Sequence, residues 1–203
     1  MSGRTAKPVP AALGFRVKSG RAMAVLLAGP ANAPNLIHCQ AVLLSDPRIP
    51  QSKQPYHATL ELPEGEAKRV IKKLRKVVAD SAKESVCELL KQANAAGYEM
   101  VGTGVVVGSL VDPATLHNEH IRAHGLEGQL FRSVLEDALH ERGIASQVLL
   151  EKNAYIVAAR AVDRSPAAVK KIIAALGNSH EGSWRAEEKL AALAAWMAFC
   201  AHK

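Results

Sequence analysis

The spacing of apolar residues changes along this chain, and the changes mark out its elements. Residues 14–29 (GFRVKSGRAMAVLLAG) form an apolar stretch bounded by glycines and predict a β-strand or the arm of a hairpin, with a turn at Gly29-Pro30-Ala31-Asn32. Residues 35–45 (NLIHCQAVLLS) predict a second strand. After a proline-rich link over 46–55, the alternation in 56–62 (YHATLEL) predicts a third. The period then lengthens. Over about 64–96, Val70, Leu74, Val77 and Val78 share one helical face, which Val86, Leu89, Leu90 and Ala93 continue. Ser81 and Glu84 have the spacing of a capping box, so one long helix or a break near Asp80 both fit, and Gly97 ends the run.

In the second half, residues 100–110 (MVGTGVVVGSL) predict a buried, glycine-bearing strand. Asp112-Pro113 has the form of an N-cap followed by an N1 proline, and Leu126, Leu130, Val134, Leu135 and Leu139 mark a helix ending at Gly143. Residues 146–150 predict a fifth strand. Asn153 and Ser165-Pro166 start two more helices. Residues 184–201 make the last, with Leu190, Leu193, Ala194 and Met197 as its apolar stripe. Residues 1–12 are small, basic and proline-containing and predict a flexible tail; residues 13–203 predict a single domain. Three strands, helix, strand, helix, strand and helices describe a three-strand meander joined to two crossover units. The expected fold is α/β, with a mixed five-stranded sheet and helices on both faces.

Composition narrows the function classes. With 203 residues, 48% of them hydrophobic, the chain can bury a core without staples. Aromatics make up 4%, and the alanine-rich helices suit close packing within the domain or between copies, so a homo-oligomeric interaction module is one class to weigh. Cys39, Cys87 and Cys200 are odd in number, widely spaced and set in apolar runs, which predicts buried thiols rather than disulfides or a zinc motif. No signal-type apolar core and no stretch of about 20 apolar residues is present. A bacterial cytoplasm is the expected compartment. The net charge of +7 favours an acidic partner, nucleic acid first.

Two stretches carry a family likeness. Ser165-Pro166-Ala167-Ala168-Val169-Lys170-Lys171 resembles a Pro-x-x-Val-Lys-Lys stretch of the Holliday junction resolvase branch of the ribonuclease H-like superfamily. Glu188-Lys189-Leu190-Ala191-Ala192-Leu193-Ala194 is similar to that branch's final Asp-Ala-Leu-Ala helix, and Gly14 and Gly20 are spaced as on its first strand. The likeness spans about 14–201 and implies a ribonuclease H-like fold. It also implies a cluster of four carboxylates holding two divalent cations about 4 Å apart. This chain departs from that pattern. The first strand carries Arg16 and Lys18 and no acid, the end of the fourth carries Val107-Gly108-Ser109, and the final pair falls on Arg185 and Glu188, with Glu187 alongside. The resemblance therefore implies a degenerate active site without the usual two-metal nuclease chemistry.

Other residues could carry chemistry instead. His117, His120 and His124 share a face if 116–127 is helical, with Glu127 a turn further on. Such a set could hold a transition metal or supply a general base, giving a divergent metal-dependent nuclease or phosphoesterase with Glu188 as a further candidate. The plainer alternative is a solvated polar face. No cofactor motif is present, and a divalent metal is the one cofactor class left open. Arg16, Lys18 and Arg21, beside Ser19 and Gly20, could form a phosphate pocket or simply be edge-strand charges that discourage aggregation, and Arg185, at the start of the last helix, is a further candidate for phosphate or nucleic acid. Lys72, Lys73 and Lys76, among Lys68, Arg69 and Arg75, could bind nucleic-acid phosphates, or simply form a solvated helix face. His57 and Trp184 could line one crevice at the strand ends, Trp184 otherwise being a packing anchor, and Glu151 ends the fifth strand. The expected function is a phosphate-recognising ribonuclease H-like domain that binds nucleic acid or a phosphorylated ligand.

Overall fold

A computed structural model describes residues 7–202. Five strands form one sheet in the order β3-β2-β1-β4-β5. Strand β1 (Val9–Lys18) pairs antiparallel with β2 (Arg21–Ala28), and β2 pairs antiparallel with β3 (Asn35–Leu43). On its other side β1 pairs parallel with β4 (Tyr98–Val107), which pairs parallel with β5 (Ser146–Leu150). The expected mixed five-stranded sheet is present, but its strands are distributed differently. The stretch 14–29 holds two strands: Lys18 pairs with Arg21, and Ser19-Gly20 turns the chain with Gly20 at φ +77°.

The stretch 56–62 is not a strand. His57–Thr59 is a 3₁₀ turn, whose N–H groups bond locally, Thr59 to Tyr56 and Leu60 to His57, both at 3.3 Å. The N–H of His57 instead reaches the Glu127 carboxylate at 3.2 Å. Alternation alone could not reveal that these donors are engaged elsewhere. The tail is also shorter than its composition implied. The Val9 N–H donates to Gly97 at 2.8 Å, and Ala11 and Ala12 are fully buried in β1, so the sheet begins inside the stretch 1–12. The tail expectation for residues 1–6 lies outside the described residues.

Helix α1 (Glu64–Ala95) is unbroken at Asp80, because its buried stripe, Leu74, Val78, Ala82, Val86, Leu89 and Ala93, runs straight through that point. It covers one face of the sheet together with α2 (Glu119–His140). Helices α3 (Ala154–Ala161), α4 (Pro166–Leu176) and α5 (Ala186–Cys200) cover the other. Cys39, Cys87 and Cys200 are half-buried rather than buried, Cys39 on the edge strand and the other two on helices. Among the described residues no helix is long and apolar enough to cross a membrane.

Helix α5 is the central pillar, buried continuously from Leu190 to Phe199. Its seat is a pair of adjacent glycines on the two parallel strands, Gly14 beside Gly104. A Cβ on Gly14 would overlap the Ala191 carbonyl oxygen, and one on Gly104 the Ala194 carbonyl. Glycine is needed here for close approach of helix to strand, and that approach fixes the first turn of α5 beside Arg16, two residues beyond Gly14.

Candidate functional site

Two crevices open at the carboxyl ends of the parallel strands, one beside β1 and β4 and one beside β1 and the end of β5, and Arg16 and Lys18 line both. This is the edge where open α/β sheets place their ligands. The smaller crevice, about 420 Å³, lies against the first turn of α5. Arg16, Lys18, Arg21 and Arg185 meet Glu151, Glu187 and Glu188 there, so the structure brings together four of the cations singled out in the sequence and leaves those of α1 apart. The acids are all engaged. Arg16, 7% exposed, pairs with Glu151 and donates to its neighbour's carbonyl at Val17. Glu187 receives Lys18 at 2.8 Å and Arg21 at 2.7 Å. Partial burial alone would raise the Glu187 carboxyl, but hydrogen bonds from Lys18 and Arg21, and their charges, hold it below its ordinary value. Glu188 accepts the backbone N–H of Arg185 at 2.8 Å and so acts as the N-terminal brace of α5. Burial, with the Glu188 charge adding to it, pushes the Cys39 thiol up to about 11, so it is no thiolate nucleophile near neutrality.

The larger crevice, about 510 Å³, lies between β1, the segment after β4, and α2. Its cations are Arg16, Lys18 and Arg132, and its hydroxyls Ser19 and Ser109. The Asp112 carboxylate accepts the Ala114 N–H at 2.9 Å. The Nε atoms of Arg16 and Arg132 are buried without hydrogen-bond partners, Arg132 Nε standing 3.4 Å from Glu136 at ion-pair range only. Arg132 was not foreseen. Its signal was the stripe His124, Gly125, Gly128, Gln129 and Arg132, a helix face with little bulk that borders the crevice.

The histidines divide. Asp112 caps only a short 3₁₀ turn (Pro113–Thr115), and α2 starts later, where Asn118 accepts the Ile121 N–H at 3.0 Å. His117 therefore precedes the helix and stands apart from the cluster. His120 and His124 are joined instead by His57, from the turn before α1. Gly125 does not interrupt the helix: any side chain there would press on Leu116 and Pro113. Glu127, fully buried, accepts His57 Nδ1–H at 2.8 Å. Trp184 does not share a crevice with His57. Its indole N–H donates to the Ile173 carbonyl at 2.8 Å and its ring packs over Gly177, so it anchors the α4–α5 corner. Lys72, Lys73 and Lys76 lie exposed on α1 and line neither crevice; Lys76 pairs with Asp80 at 2.8 Å.

No protein-family model matches the sequence, and no curated protein does. Among solved structures, Thermus thermophilus RuvC is similar over 92% of this chain and 92% of its own, with a TM-score of 0.54 and 12% identity. T. thermophilus RuvC in complex with Holliday junction substrate gives the same TM-score of 0.54 at 10% identity, covering 92% of this chain and 90% of that one. The yeast mitochondrial Holliday junction resolvase Ydc2 matches at a TM-score of 0.44 and 11% identity, over 98% of this chain and 82% of its own. At these identities the likeness is one of fold. With its five strands in the order β3-β2-β1-β4-β5 and helices on both faces, the chain has the RuvC-like ribonuclease H fold.

Proposed function

We propose that this domain binds the phosphates of nucleic acid or of a phosphorylated ligand in the crevice between β1 and α2, and does so without two-metal nuclease chemistry. The observation that carries the reading is the convergence of Arg16, Lys18 and Arg132 on one crevice, where the buried Nε donors of both arginines lack a hydrogen-bond partner although the side chains are ion-paired with Glu151 and Glu136. Guanidinium forks and an ammonium at a strand-end crevice suit a phosphate's geometry and charge. The Ser19 and Ser109 hydroxyls add neutral donors.

The two divalent cations of ribonuclease H-like nucleases do not fit the neighbouring cleft. Arg16 stands on the first strand, where the first acid is expected. The acids that remain are held by Arg16, Lys18, Arg21 and the Arg185 backbone. A metal ion entering there would have to displace cations of the chain itself and meet their repulsion. The exposed Lys72, Lys73 and Lys76 of α1, outside the crevice, are a second set of cations for a long, sequence-blind polyanion.

The test is an anisotropy titration of labelled DNA and RNA, including a four-stranded junction of the kind in the RuvC complex, across a salt series. Binding that weakens steeply with salt is expected. Absence of binding to every nucleic acid, and to phosphorylated small molecules, at low salt would end the reading.

A further inference from the structure

We propose that His57, His120 and His124 form a binding site for one transition-metal ion of the zinc class, with Glu127 as the buried carboxylate that orients His57. One ring nitrogen from each histidine lies within 4.8 Å of the others. The ring centroids stand 4.1 Å apart for His57 and His124, 4.6 Å for His57 and His120, and 4.8 Å for His120 and His124. An all-imidazole set selects zinc, cobalt, nickel or copper over magnesium and calcium, which take oxygen ligands.

Independent support comes from below the cluster. Glu127 Oε1 takes both the Nδ1–H and the backbone N–H of His57, at 2.8 and 3.2 Å. With the proton on Nδ1, the lone pair is on Nε2, and that nitrogen is buried with no hydrogen-bond partner. A carboxylate holding one imidazole nitrogen so that the other can ligate is the standard support of a metal-bound histidine. The second Glu127 oxygen, Oε2, is likewise buried without a partner. A fully buried carboxylate with half its acceptors unused is costly unless positive charge lies near. A cation bound through His57 supplies that charge.

The remaining ligands can close on an ion. His120 and His124 are exposed and one turn apart on α2. Tetrahedral zinc with bonds of 2.0–2.1 Å needs donors about 3.3 Å apart, a contraction of about 1.5 Å that side-chain rotation can supply. Three protein ligands leave a fourth position for water or an anion. His124 also borders the proposed phosphate crevice, but the three imidazoles can hold a metal whether or not that crevice binds phosphate.

The experiment uses the full chain, stripped by chelator and titrated with cobalt(II), with the visible tetrahedral absorption read first and zinc competition second. One equivalent per chain is expected. His120→Ala with His124→Ala should weaken binding at least a hundredfold, while His117→Ala, outside the cluster, leaves it unchanged. Glu127→Gln should weaken it about ten- to a hundredfold at the same stoichiometry. Circular dichroism of each variant separates lost ligation from lost folding. No stoichiometric binding at micromolar metal, or an equivalent that survives the double substitution, would overturn the proposal. Unchanged affinity in Glu127→Gln would remove the carboxylate from the site.

Discussion

Two clusters of ionisable residues sit at the same edge of the sheet, and they are built on opposite plans. Beside α5, Glu151, Glu187 and Glu188 all have partners within the chain: Arg16, Lys18 and Arg21, and the Arg185 amide. On the other face, His57 and Glu127 hold each other yet leave one buried nitrogen and one buried oxygen without partners. In the first cluster every acid already has a cation or an N–H of the chain as partner; in the second, the proposed metal ion would supply the positive charge that the buried Glu127 oxygen lacks. Counting acids and histidines in the sequence cannot separate the two cases, because what differs is where the hydrogen bonds go.

The largest effect on this contrast should come from Gly14→Ala. Its Cβ would strike the Ala191 carbonyl, lifting α5, and with it Glu187 and Glu188, off the strand that carries Arg16. A loss of about 3 kcal/mol or more is expected in urea unfolding, the upper range for overpacking against rigid backbone. A loss below about 1 kcal/mol would show that α5 is not seated as described.

Arg16→Asp inverts the complete cluster. It removes the partner of Glu151 and sets an acid beside it. The variant should be less stable alone but gain roughly 3 °C in melting temperature on adding magnesium, about 1 kcal/mol for a chain of this size, whereas the parent gains nothing. An equal magnesium response in the parent would contradict the idea that its own cations already fill the cleft.

Lys18→Ala with Arg132→Ala tests the crevice that adjoins both clusters. The slope of log affinity for duplex DNA against log salt should fall by about 0.9 for each phosphate contact removed, as measured by anisotropy. An unchanged slope would move the phosphate contacts elsewhere, the exposed α1 lysines first.

The smallest effect is that of pH on Glu187. Its folded carboxyl lies below its ordinary value of 4.5, so the pairing with Lys18 and Arg21 stabilises fully above that value. The contribution is lost as pH falls through the lower folded value. Glu187→Gln should cost less than about 1 kcal/mol near neutrality, since both cations are part-exposed, and the gap between the two proteins should close in acid. A gap that persists in acid would mean that something other than charge is lost.

Much of the fold was legible because core periodicity survives in the sequence. The stripe of α1, the runs of β4 and β5, and the last helix all stand where apolar spacing puts them. The exceptions share a cause. The 56–62 stretch alternates like a strand, but its His57 amide bonds to a carboxylate 70 residues away, and such a partner leaves no local mark. The same contact decided the candidate site. His120, His124 and Glu127 were visible as a helical face, but the third imidazole comes from His57 and not from the nearer His117. Arg16 and Lys18 could be read as a missing acid. That they are paired with Glu151 and Glu187 follows only from how close the Gly14–Gly104 seat brings α5 to the sheet.

Running the DNA titration twice, once with magnesium and once with a chelator, examines the self-neutralised cleft most directly. The account predicts binding that needs no metal, that magnesium only weakens as an added counterion does, and intact DNA afterwards. Binding or strand cleavage that appears only with magnesium would contradict it.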